Sequence, residues 1–187
     1  MLFRSIAGLR DTLPQDTIIC NGAGNFSIWV HRFWRYRRYG TQLAPISGSM
    51  GYGVPAAICM KRLVPQRTVV AFAGDGDFLM TGQEFATAVQ YDLPIIVVVV
   101  DNAMYGTIRM HQERAYPGRV IATGLRNPDF AALAEAYGAA GETVTSTADV
   151  PAALDRALGA GRPAVLALKV DPEAIAPGLT LSALRRR

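Results

Sequence analysis

Cysteine is scarce in this 187-residue chain, with Cys20 and Cys59 the two present. Two thiols are too few for a disulfide framework or a cysteine metal cluster. Both lie in apolar stretches, which suits a reducing compartment and points to the cytoplasm. No apolar run reaches the roughly eighteen residues of a membrane span, so no membrane association is expected. The opening Met1-Leu2-Phe3-Arg4-Ser5 carries an early charge and no long apolar core, so a secretory leader is not expected there. Charge of one sign is weak: the formal net charge is +4, and Arg185-Arg186-Arg187 supplies three of those charges. A nucleic-acid partner needs a clustered basic face. The one candidate, His31-Arg32-Phe33-Trp34-Arg35-Tyr36-Arg37-Arg38-Tyr39, reads instead as a helix with aromatics inward and arginines outward or at a subunit contact. Internal repeats and low-complexity stretches are also missing. So is the dinucleotide fingerprint Gly-x-Gly-x-x-Gly, because position 79 is Leu.

What is present is a hydrophobic half of the residues with both charge signs, enough for one domain with a substantial core. Residues 1–187 are therefore taken as one domain. Residues 2–12 read as a short helix with Leu2, Ile6, Leu9 and Leu13 on roughly one face, and residues 1–15 are read as a connecting element. Ile18-Ile19-Cys20 reads as a strand. The turn Asn21-Gly22-Ala23-Gly24-Asn25 then leads into a helix around Ser27–Tyr36. That turn is either a phosphate-binding loop, since backbone N–H groups and a helix start favour anions, or a plain strand-to-helix turn. Three glycines in Gly48–Gly53 open a helix over Ala56–Arg62. Thr81-Gly82-Gln83-Glu84 has capping-box spacing, so Glu84 is read as a cap rather than a catalytic acid. Tyr105-Gly106-Thr107-Ile108 begins a further helix, on which His111 is read as a surface or interface residue. Asn127-Pro128 reads as a cap and first turn for a helix ended by Gly138. A strand near Ala140–Val144, a helix near Val150–Leu158 and a strand Ala164–Val170 complete the alternation. The expected fold is a three-layer α/β/α sandwich around a mostly parallel, six-stranded sheet.

The chemistry centres on Gly74–Gly106. The apolar run Val69–Ala73 stops at Gly74-Asp75-Gly76, and Ile95–Val100 stops at Asp101-Asn102. In a parallel βαβ unit, consecutive strands end on the same side, so Asp75 and Asn102 meet there although 27 positions separate them. One carboxylate, one amide oxygen and glycine-opened backbone make a hard-cation site with room for phosphate oxygens, a mixture Mg²⁺ prefers.

This stretch resembles the signature of thiamine-diphosphate enzymes, Gly-Asp-Gly followed one strand–helix–strand unit later by Asn-Asn. The resemblance implies thiamine diphosphate and Mg²⁺ as cofactors. It implies that Asp75 and Asn102 bind the ion through side chains and Met104 through its carbonyl. Asp101 stands where the family has its first Asn. Gly24, Asn25 and Phe26 match the loop that touches the far end of the diphosphate. Gly74, Gly76, Asp77, Tyr105, Gly106 and Thr107 fill out the cofactor-binding set. The segment Gly48-Ser49-Met50-Gly51-Tyr52-Gly53-Val54-Pro55-Ala56-Ala57 resembles the family's Gly-x-Met-Gly-x-Gly-x-Pro-Ala-Ala. That likeness implies that the Gly48 carbonyl accepts from the cofactor's amino group and that Met50 supports its bend. Tyr105–Arg109 and Tyr116-Pro117-Gly118-Arg119 look most like the carboxy-terminal cofactor domain of acetolactate-synthase-like enzymes. Met110-His111-Gln112 departs from the Gln-Trp-Glu-type segment of the biosynthetic members. The implied activity is carboligation or decarboxylation of a 2-oxo acid, with a simple decarboxylase of an aromatic or branched 2-oxo acid as the alternative. In the family, a Glu on a separate pyrimidine-binding domain activates the cofactor. No segment here matches that domain, so no catalytic residue is assigned within the chain. The chain reads as the diphosphate-binding half of such an enzyme, a fragment or a split subunit, expected in a homo- or hetero-oligomer. A non-catalytic module that binds the cofactor or a partner chain is the rival of a different class.

Overall fold

The computed structural model describes residues 2–186, so Met1 and Arg187, the first residue of the leader reading and the last of the arginine run, lie outside the described residues. The chain runs α1 (Leu2–Thr12), β1 (Ile18–Asn21), α2 (Asn25–Phe33), β2 (Gln42–Leu43), α3 (Gly53–Leu63) and β3 (Val69–Gly74). It continues through α4 (Asp75–Thr81), α5 (Phe85–Gln90), β4 (Ile96–Asp101), α6 (Gly106–Ala115), α7 (Phe130–Ala136) and β5 (Ala140–Val144). The remainder is α8 (Val150–Gly159), β6 (Ala164–Lys169), β7 (Ala174–Ala176), β8 (Leu179–Thr180) and α9 (Leu181–Arg185).

Six strands pair in the order β2-β1-β3-β4-β6-β5, and every ladder is parallel. The continuous apolar runs form strands because both faces of the sheet are covered. Val70, Phe72, Ile96, Val98, Val100, Leu166 and Leu168 point into one core with α1, α2 and α8. Their neighbours Val69, Ala71, Ala73, Val97, Val99, Val165 and Ala167 point into the other, with α3, α5 and α7. Two layers of helices on a parallel sheet give the three-layer α/β/α sandwich. The sixth strand is the two-residue β2, too short to show a period. The antiparallel hairpin β7–β8 lies outside the main sheet.

Three local expectations are corrected. The helix read over Ser27–Tyr36 is α2, Asn25–Phe33, and Trp34 leaves it with extended backbone. Trp34 is buried edge-on to Phe72, and Arg10 Nη1 donates to the Phe33 carbonyl at 3.1 Å, so tertiary contacts end the helix. Of the aromatics in that run, Trp34 is buried and Phe33 and Tyr36 are half-buried, but Tyr39 is exposed, and only Phe33 belongs to the helix. The Thr81–Glu84 capping box does not form: the Thr81 hydroxyl donates to the Gly51 carbonyl at 2.7 Å. Helix α4 instead starts at Asp75, tightens to a 3₁₀ turn at Gly82–Glu84 and resumes as α5. The cap of α7 is Asp129, which accepts from the N–H groups of Ala131 and Ala132, and not Asn127. The two cysteines also differ: Cys20 is buried, whereas Cys59 is exposed.

The last helix is latched to α6 by a buried carboxylate. Glu113 accepts from Arg109 at 2.9 Å, Arg185 at 2.8 Å and the Gly118 N–H at 2.9 Å, and its side chain is fully buried. Donation from Arg185, and then from Gly118, holds the Glu113 carboxyl at about 2, below its ordinary 4.5. A depressed carboxyl contributes stability that is complete above the unfolded value and is lost as pH falls through the folded one. Glu113→Gln should therefore destabilise the chain by about 1–3 kcal/mol near neutrality. The deficit should shrink as pH falls from 4.5 towards 2. Urea denaturation midpoints of both proteins across that range check this.

Candidate functional site

The strand order places β1 beside β3, yet the chain leaves β1 through α2 on one face and β3 through α4 and α5 on the other. A doubly wound sheet opens a crevice where its winding reverses like this, at the carboxyl ends of the strands. An open-sided cleft lies there. Its walls are Ala23–Phe26 after β1, Gly74–Asp77 after β3, Asn102 and Met104–Ile108 after β4, and Val170, Ala174 and Ile175 from the carboxy-terminal segment.

The ladder levels the key side chains. Gly74 pairs with Val100, so Asp75 and Asp101, each one residue further on, end adjacent strands side by side. Both are buried. Asp75 accepts from the Gly76 N–H at 2.9 Å through Oδ1 and from Asn127 Nδ2 at 2.8 Å through Oδ2. Burial raises its carboxyl above the ordinary range, against those donors. Asp101 accepts from Ala103 and Asn127 through Oδ1, and its Oδ2 pairs with Lys169. Burial pushes Asp101 up too, but Lys169, Asn127 and Ala103 together hold it below its ordinary value. The Asn102 amide oxygen accepts from the Met104 N–H at 3.2 Å, which fixes it at the cleft and leaves a second lone pair.

Helices α2, α4 and α6 all begin on this cleft, and none has a side-chain cap. The first N–H groups and positive dipole ends of α2 and α6 are available to an anion, whereas in α4 the Gly76 N–H already donates to Asp75 Oδ1. Asn25 and Thr107 tie two of the starts together, Thr107 Oγ1 donating to Asn25 Oδ1 at 2.9 Å.

Asp77 lines the cleft but is committed elsewhere. Its Oδ1 accepts from the Gly51 N–H at 2.7 Å and the Ala23 N–H at 3.2 Å, pinning both glycine loops to α4. Gly22 has to lack a Cβ, because one would lie 2.1 Å from that oxygen. Burial pushes the Asp77 carboxyl up to about 6. Gly76 makes a second close approach, where a Cβ would meet the Tyr105 ring at 2.5 Å.

The structure thus brings together Gly24, Asn25, Phe26, Met50, Gly74, Asp75, Gly76, Asp77, Asn102, Met104, Tyr105, Gly106 and Thr107. It does not bring Gly48 and Ser49 to the cleft wall. Both are exposed, and Ser49 Oγ lies 2.6 Å from Ser47 Oγ. His111 is exposed, whereas Met110 reaches the site, its sulfur accepting from Asn25. Three contributors escaped the sequence reading: Asn127, Lys169 and Ile175. Asn127-Pro128 looked like a helix start, and nothing local marks the other two.

One buried carboxylate beside an amide oxygen and a backbone carbonyl fits a hard cation. Among the described residues no group of three or more His, Cys, Asp or Glu side chains could hold an ion, so a cation here would have to take amide and backbone oxygens as well. Helix starts beside that carboxylate fit phosphate oxygens. The class defined is an α/β domain whose strand ends and helix starts suit a phosphate compound. Residues 22–168 match the family described as thiamine pyrophosphate enzyme, C-terminal TPP binding domain, and the chain belongs to that family. It is 33% identical over 169 residues to a probable acetolactate synthase large subunit of Methanocaldococcus jannaschii, covering 89% of this chain and 29% of that protein. Against the acetolactate synthase isozyme 2 large subunit of Escherichia coli it is 34% identical, covering 87% and 30%. The putative thiamine pyrophosphate-containing protein YdaP of Bacillus subtilis is 33% identical, covering 92% and 30%. The chain therefore spans under a third of the length of these relatives.

Asp77 offers a test of how the loops are held. Asp77→Ala strips the Gly51 and Ala23 N–H groups of their acceptor and should cost about 1–3 kcal/mol. Asp77→Asn keeps the accepting oxygen and should retain most of that stability. Chemical denaturation of the two variants beside the unsubstituted chain decides the point.

Proposed function

We propose that this chain is the diphosphate-binding half of a thiamine-diphosphate- and Mg²⁺-dependent, acetolactate-synthase-like enzyme acting on 2-oxo acids. The observation that carries it is the meeting of three uncapped helix starts with the buried Asp75 carboxylate in one cleft. Asp75, Asn102 and the Met104 carbonyl would hold the ion, and the starts of α2 and α6 would hold the diphosphate. When bound, the cofactor supplies the electron-accepting carbon that 2-oxo acid chemistry requires. The chain's own part is to neutralise, orient and partly desolvate the diphosphate end.

The cleft is open-sided, and two apolar side chains that line it, Met50 and Ile108, are exposed. A ligand site normally buries 70–90% of its ligand, so a second surface belongs here. A pyrimidine-binding domain, in the same polypeptide or another subunit, fits that role and would bring the activating Glu. Relatives named as large subunits support an assembly of chains. No helix among the described residues is long and apolar enough to cross a membrane.

Titrating thiamine diphosphate into the chain by calorimetry, with and without Mg²⁺, tests the site. Asp75→Ala should weaken Mg²⁺-dependent binding by at least tenfold, about 1.4 kcal/mol, and unchanged affinity in a folded variant would sink the assignment. Turnover of pyruvate or another 2-oxo acid should appear only once a pyrimidine-binding domain is supplied. A monomer that turns over alone would overturn the half-site reading.

A further inference from the structure

The level pairing of β3 and β4 creates an electrostatic problem beside the proposed ion site. Asp75 and Asp101 are two buried carboxylates on adjacent strand ends. Two such charges side by side repel, and an excess of negative charge also opposes a diphosphate. Two groups from distant parts of the chain deal with it. Asn127, just before α7, donates one N–H of its amide to Asp75 Oδ2 and the other to Asp101 Oδ1, both at 2.8 Å. The amide has no choice of orientation, because ionised carboxylates only accept. Its own Oδ1 is left buried without a hydrogen-bond partner, so bridging the two carboxylates governs how it is placed.

An amide is neutral and cannot cancel charge. Lys169 does: it is paired with Asp101 across the β4–β6 ladder, and its ammonium meets Asp101 Oδ2. Lys169 is half exposed while the Asp101 side chain is 2% exposed, so the lysine keeps contact with water and the carboxylate does not. Both Asp101 oxygens are then engaged, Oδ1 by Asn127 and Ala103 and Oδ2 by Lys169.

We propose that Lys169 and Asn127 are positioning residues of the cofactor site, acting through Asp101. Lys169 neutralises the extra carboxylate and holds it away from the ion. Asn127 fixes Asp75 through Oδ2, while Oδ1 takes only the Gly76 N–H and keeps a lone pair to present to the ion. Asp101 and Lys169 are one unit: the acid is compatible with a diphosphate neighbour because the base is there.

This rests on the cofactor reading above, and the test separates the two. Thiamine diphosphate is titrated calorimetrically at fixed Mg²⁺ into the unsubstituted chain, Lys169→Met, and Lys169→Met combined with Asp101→Asn. Lys169→Met leaves Asp101 uncompensated and should weaken cofactor binding at least tenfold. The double variant has no charge to compensate and should recover most of that affinity, a rescue that a purely structural lysine would not show. Lys169→Met with the affinity of the unsubstituted chain, or a double variant no better than the single one, overturns the pairing while the cofactor site stands. An unsubstituted chain that binds no cofactor overturns both. If Lys169→Met proves insoluble, a soluble, cofactor-binding double variant supports the pairing, and an insoluble one overturns it.

Discussion

The parallel register of β3 on β4 is the constraint on which the rest of the cleft depends. With Gly74 opposite Val100, the residues that leave the two strands are side by side, and both are aspartates. A slip of one residue would turn every side chain of β4 to the other face of the sheet. Ile96, Val98 and Val100 would then exchange cores with Val97 and Val99, so packing holds the register. Hydrophobic burial, which is non-directional, thus sets the relative height of polar groups at the strand ends to within one residue.

Once the register is set, the polar groups above it are coupled. The switch in winding between β1 and β3 sends α2 and α4 to opposite faces, and their uncapped starts open on the same crevice. Asp77 then uses one oxygen to draw in the loops after β1 and before α3. The glycines at 22 and 76 are where backbone and side chain approach too closely for a Cβ. These contacts preorganise the donors, so a bound diphosphate would meet groups already in place. Ordering them is part of folding and not of binding.

The carboxy-terminal segment adds the remaining wall. Ile175 packs with Met104 and Leu181 in a small separate core, and the arginines on Glu113 tie α9 to α6. The edge of the cleft is therefore built from residues far apart in sequence. Its outer side still carries exposed apolar residues, which on the proposed reading face a pyrimidine-binding domain.

Much of this was legible in the residues alone. Buried parallel strands read as unbroken apolar runs, and a glycine-flanked aspartate ends one of them, so the fold class, strands β1, β3, β4, β5 and β6, and the convergence of Asp75 with Asn102 follow from pattern. Family membership was legible from the same motif. Where local signals failed, a long-range contact had outcompeted them. Thr81 carries capping chemistry but spends its hydroxyl on Gly51, Trp34 leaves its helix to reach Phe72, and Asn127 gives up the cap to bridge two aspartates. Sequence spacing showed at which end of the sheet Asp101 lies, and the family resemblance that it stands in place of an Asn. It carried no sign of Lys169, whose place opposite Asp101 exists only because β6, 68 residues later, inserts between β4 and β5. Strand order is decided by how whole layers pack, and that is why the charge balance of the site belonged to the tertiary structure.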